Sequence, residues 1–89
     1  MIEFELVPQG NKEYQKKLND DALESYTLAL QHAIAKSEAM ALAFANRSAV
    51  LALKGQHSAA LRDIQRAMNT GKYPKHLHVN NLLSHSTLV

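Results

Sequence analysis

The 89-residue chain contains no cysteine and no tryptophan, and only three glycines and two prolines. Without cysteine it cannot form a disulfide scaffold, a thiolate zinc site, an iron–sulfur cluster or a cysteine nucleophile. Scarce glycine and proline beside plentiful Ala, Leu, Gln, Lys and Glu suit helices and suit strands poorly. Charge of one sign is also lacking, since ten Lys and Arg stand against eight Asp and Glu, for a net +2. Lys12, Lys16 and Lys17 lie beside Glu13, Asp20 and Asp21, and Arg62 and Arg66 flank Asp63. These read as mixed, solvated helix faces, whereas a nucleic-acid binder concentrates its charge on one stripe. The longest apolar run, Ala39 to Ala45, is too short to span a bilayer. The opening Met1-Ile2-Glu3-Phe4-Glu5 puts acids where a signal peptide needs basic and then apolar residues. Neither nucleic acid nor membrane is an expected partner. The expected compartment is intracellular, the cytoplasm first, with the nucleus left open.

What is present is helical periodicity. Proline is tolerated in a first turn, which predicts a helix from Pro8 to Lys17. Asn19 is a candidate cap for the next, with Asp20 and Asp21 in its first turn, where the macrodipole favours acids. Leu23, Tyr26, Leu30 and Ile34 form its apolar stripe. Ser37 is a candidate cap for a third helix that ends at Gly55. Its apolar residues cover much of the circumference, which demands neighbours on more than one side. A fourth helix is expected from about Ser58 to Asn69, a corner at Tyr73-Pro74, and a last helix from Lys75 to Val89.

The chain also repeats itself. An offset of 38 residues pairs Gly10 with Ser48, Ala22 with Ala60, Leu23 with Leu61, Tyr26 with Ile64 and Ala29 with Ala67. A second offset of 38 pairs Phe44 with Leu82 and Ser48 with Ser86, and that copy stops midway through its first helix. The expected organisation is repeat 1 over about 3–40, repeat 2 over about 41–78 and a partial repeat 3 over about 79–89. A small residue (Gly10, Ser48) twelve positions before an alanine (Ala22, Ala60) lets two antiparallel helices approach closely at one crossing. The bulky residue four positions on (Tyr26, Ile64) is expected to face the next unit. Repeat units bury their apolar faces on one another, so association through the unfinished third unit is expected.

Leu6-x-x-Gln9-Gly10 with Tyr14, then Ala22-x-x-x-Tyr26-x-x-Ala29, resembles the tetratricopeptide repeat (TPR). So does Phe44-x-x-Arg47-Ser48-x-x-Leu51 followed by Ala60-x-x-x-Ile64-x-x-Ala67. Asn19 and His57 depart from that pattern, and the period of 38 exceeds the usual one by about one helical turn. The resemblance implies an all-α fold of antiparallel helix pairs stacked as a right-handed superhelix. An unrelated α-hairpin bundle is the competing reading. A narrower likeness rests on Gly10-Asn11-Lys12-Glu13, Asn46 to Leu51, Asp63 to Ala67 and Gly71 to Leu77. Over about Gly10 to Leu83 these look like the TPR segment of the SET and MYND domain lysine methyltransferases. Beyond it, Asn80, Ser84 and His85 stand where that family tends to have basic residues.

No active site is legible in the chain, and no cofactor is expected. His76-x-His78 reads as a turn entering a helix, where i and i+2 do not share a face, so no metal site is expected. By resemblance the chain is the non-catalytic part of a parent methyltransferase, and its function is to bind a peptide or a neighbouring domain in a concave groove. The groove candidates are Phe4, Val7, Asn11, Tyr14, Leu42, Ala45, Asn46, Ala49 and Leu53. The alternative is a free-standing TPR adaptor or co-chaperone. Such proteins hold chaperone tails in a clamp of two asparagines and three basic residues. Asn11 and Asn46 match the asparagines, but the basic places fall on Val7, Asn80 and Ser84. Without cations the charge-assisted bonds are lost, so a working clamp is not expected. Asn46 has a second reading, as a residue that holds the angle between units.

Overall fold

The computed structural model describes residues 3–73, with side chains from residue 6 onward. Among these the chain is all-helical, with α1 at Glu3–Gln15, α2 at Asn19–His32, α3 at Glu38–Leu53 and α4 at His57–Asn69. The expected Lys75–Val89 helix, the third unit and His76-x-His78 lie outside the described residues. Helices pair in sequence order, α1 with α2 and α3 with α4, and α3 also packs against both α1 and α2. This packing is consistent with a helical repeat. It also answers the apolar circumference of α3, which has neighbours on several sides.

The turns inside the two pairs have the same construction 38 residues apart. After α1, Lys17 adopts φ 64°, its N–H donates to the Tyr14 carbonyl at 2.9 Å, and the Leu18 N–H donates to the Glu13 carbonyl at 2.8 Å. After α3, Gly55 adopts φ 82°, its N–H donates to the Ala52 carbonyl at 3.0 Å, and the Gln56 N–H donates to the Leu51 carbonyl at 2.9 Å. Each is a Schellman closure, in which one left-handed residue turns two N–H groups back onto the last free carbonyls. In the second pair that residue is glycine. In the first it is lysine, which meets a steric penalty there.

Sequence and structure part in three places. The first helix begins at Glu3 rather than Pro8, so Pro8 sits inside it. The proline removes the bond to the Phe4 carbonyl, and burial of Val7 with partial burial of Leu6 offsets that loss. Asn19 is the first residue of α2, not its cap. Leu18 takes the cap position with no side-chain bond, as Gln56 does before α4. The Schellman turn already fixes both residues, and their carbonyls accept the first helical bonds from Ala22 and Ala60. Ile34 leaves the apolar stripe because α2 ends at His32 and Ala33 is extended, which leaves Ile34 72% exposed. Ser37 does cap α3, its Oγ accepting from the Met40 N–H at 3.1 Å.

The core has two centres. Val7, Ala22, Tyr26, Ala29, Ala43 and Val50 join α1, α2 and α3. Ala41, Ala45, Ile64, Ala67 and Tyr73 join α3 to α4 and the residues after it. Of the two small-residue crossings, that of Ser48 with Ala60 is where the spacing places it, whereas Gly10 makes its nearest approach to Tyr26 rather than Ala22. A Cβ on Gly10 would stand 2.5 Å from Tyr26 Cε1, and Ser48 Oγ donates to the Ala60 carbonyl at 2.7 Å. Tyr26 packs back on its own first helix as well as toward α3, because the missing side chain at Gly10 leaves room for its ring.

Candidate functional site

The groove candidates separate by depth. Val7, Ala45, Asn46 and Ala49 are buried, Asn11, Tyr14 and Leu42 are partly buried, and Leu53 is 53% exposed. Phe4 lies in α1, with its side chain outside those described. Tyr14 and Leu53 meet at the C-terminal ends of α1 and α3, where they line an open recess with Gln15, Lys17 and Asn19. In the 38-residue register Leu53 pairs with Gln15 and Tyr14 with Ala52, so Tyr14 and Leu53 lie one position out of register with each other. The exposed Leu18 adds to the apolar character of this end of the molecule.

Asn11 and Asn46 come together behind that recess. Asn46 Nδ2 donates to Asn11 Oδ1 at 2.9 Å, and the Tyr26 hydroxyl donates to the same oxygen. One node thus ties α1, α2 and α3 through three polar side chains. Asn46 and Tyr26 are completely buried. Burial raises the Tyr26 phenol well above its ordinary value, with the nearby Tyr14 and Glu13 adding in the same direction. Tyr14 is also raised by burial. A buried amide pair bonded to each other and to a phenol has the geometry of a structural tie. It is not arranged as two donors converging on a ligand carboxylate.

A second polar centre was not legible as such in the sequence. Asp63, read from its neighbours as part of a solvated face, is 1% exposed. Arg47 grips it with two nitrogens on one edge of its guanidinium, Nε to Oδ2 at 2.6 Å and Nη2 to Oδ1 at 3.0 Å. Arg66 Nη1 adds a third bond to Oδ1 at 3.0 Å, and Arg47 Nη1 donates to Thr27 Oγ1 at 3.3 Å. Both arginines lie over the Phe44 ring, at 5.7 and 5.9 Å from its centroid. The mixed face thus folds inward at one residue because a planar, bidentate partner is available from α3. The first unit holds a counterpart at the same register. Arg47 and Asp63 are register mates of Gln9 and Ser25, and that pair is linked through Glu13, at 2.9 and 2.6 Å.

Among the described residues no group of His, Cys, Asp and Glu is placed to hold a metal ion, and no helix is long and apolar enough to cross a membrane. No family model and no solved structure matches the chain. Curated proteins do match. Over 75 residues, 84% of its length, the chain is 39% identical to the protein-lysine N-methyltransferase SMYD4 of Homo sapiens. It is 37% identical over 75 residues to SMYD4 of Pongo abelii and 37% identical over 73 residues to that of Danio rerio. The matched stretch is only 9% to 10% of those relatives' own lengths. For most of its length, then, the chain is homologous to one short segment of SMYD4, a SET and MYND domain methyltransferase.

Proposed function

We propose that the chain is a TPR-like interaction module, non-catalytic in itself, from a SMYD4-like SET and MYND domain protein-lysine methyltransferase. The observation that carries this reading is the recurrence of one helix–turn–helix geometry, Schellman closure included, 38 residues apart in a chain homologous to SMYD4. Stacked helix pairs present the ends and inner faces of their first helices side by side, and here that places Tyr14 of α1 next to Leu53 of α3. A surface with an exposed leucine and a partly buried tyrosine suits an amphipathic helix or the flank of a neighbouring domain. Methyl transfer belongs to the remainder of a parent protein in this reading.

The free-standing co-chaperone reading is less well supported, because Asn11 and Asn46 are bonded to one another. Chemical-shift mapping on the labelled chain separates the two. An amphipathic helical peptide should shift the amides of Tyr14, Gln15 and Leu53, and Leu53→Gln should weaken it. A Glu-Glu-Val-Asp-ended peptide and its C-terminal amide should bind equally poorly. Strong selection for the free acid would establish the clamp reading instead.

A further inference from the structure

The side of the molecule formed by α2 and α4 carries a groove, lined in part by the Arg47, Asp63 and Arg66 cluster. Its floor is the α3 stripe Met40, Phe44, Arg47 and Leu51, at spacings of four, three and four. Leu23 and Thr27 of α2 form one wall, and Ala59, Arg62 and Arg66 of α4 form the other. A second recess, bordered by Lys36, Met40 and Asn69, shares Arg66 with the first.

The charge along this groove is one-sided. Lys36, Arg47, Arg62 and Arg66 line it, and the single acid among the lining residues, Asp63, is already committed to two of the arginines. Arg62 and Lys36 are exposed and have no side-chain partner among the described residues. Arg66 spends one nitrogen on Asp63, and its side chain is 52% exposed. Beneath the cations lie Phe44, Met40 and Leu51, an apolar floor that would be wasted on a bare anion.

We propose that this groove binds an acidic, amphipathic segment of a partner protein, with carboxylates facing Arg62, Arg66 and Lys36 and apolar side chains against the floor. Residues 74–89 do not supply such a segment, since they contain no Asp or Glu. Nucleic acid fits less well. Asp63 sits in the middle of the basic stretch, and a phosphodiester backbone gains nothing from Phe44 and Met40.

The test titrates the full chain with a labelled helical peptide of alternating Glu and Leu turns, its Gln-for-Glu counterpart, and a single-stranded oligonucleotide. Arg62→Gln and Lys36→Gln should each weaken the acidic peptide by about two- to fivefold, as rim charge pairs do, with an unchanged melting temperature. The Gln-for-Glu peptide should bind more weakly than its parent, and added salt should narrow that gap. Leu53→Gln, outside the lining of this groove, should leave this binding intact, which keeps the result separate from the surface proposed above. Equal affinity for both peptides, no effect of Arg62→Gln and Lys36→Gln, tighter binding of the oligonucleotide, or self-association that blocks the groove would each overturn the proposal.

Discussion

Gly10 shows how one missing side chain organises a crossing. Replacing a mid-helix glycine by alanine ordinarily stabilises a helix by roughly 0.5–1 kcal/mol. At Gly10 the new Cβ would fall 2.5 Å from a Tyr26 ring that is wholly buried and anchored at its hydroxyl, so the ring cannot swing aside. Gly10→Ala is therefore expected to destabilise the chain by about 1–3 kcal/mol, and a urea midpoint equal to or above the parent's would remove this account of the crossing. The tyrosines also predict an alkaline limit. Burial pushes Tyr73 up to about 12 and Tyr26 higher still, while an unfolded phenol titrates near about 10. Below that value both states are protonated and the contribution is intact. Above it the unfolded chain loses protons that the folded chain keeps, so stability falls by about 1.4 kcal/mol per pH unit for each such tyrosine. Urea midpoints collected between about pH 10 and 12 should fall less steeply for Tyr26→Phe than for the parent. Identical slopes would mean that Tyr26 titrates normally in the fold.

At the scale of elements, the two Schellman turns form a natural comparison, because their backbone bonds match while the left-handed residue is lysine in one and glycine in the other. Lys17 at φ 64° carries the cost that Gly55 at φ 82° avoids. Lys17→Gly should accordingly stabilise the chain by about 1 kcal/mol, less what the added freedom of the unfolded chain takes back. A decrease in stability would indicate that the Lys17 side chain contributes more than its backbone costs. The end of α3 at Gly55 was legible in the sequence because glycine announces a left-handed position. The end of α1 was expected at Lys17, within two residues of Gln15, but the left-handed turn there was not, because lysine announces no such conformation. Asn19 misled for a related reason: asparagine is a good cap, but the preceding turn had already assigned that position to Leu18.

For the whole molecule, α3 is the element that both core centres share. Ala43 and Val50 serve the first, and Ala41 and Ala45 the second. Opening α3 must break both, whereas α1 and α4 each belong to one. Native-state hydrogen exchange should therefore be slowest in the middle of α3 and faster in α1 and α4. Uniform protection across the four helices would point to a single indivisible unit, and slowest exchange in α1 would contradict the shared-centre view. The same arrangement explains why Arg47 can reach Asp63 on α4 and Thr27 on α2 at once, since it projects from the helix between them.

The sequence by itself determined the helical class, the 38-residue recurrence and the residues at the crossings. These depend on local quantities, namely side-chain size at fixed spacing and the propensity of each residue for a helix or a turn. Tertiary structure decided which polar residues lie inside. Asp63 is buried because Arg47, sixteen positions away, supplies a bidentate pair of bonds to its carboxylate and Arg66 a third. Asn11 and Asn46 are tied together because α1 and α3 pack side by side, with Tyr26 closing the node from α2. Polarity along one helix is the same for a solvated face and for an internal hydrogen-bonded pair. What separates them is the partner that packing brings within bonding distance, and no local spacing records that partner.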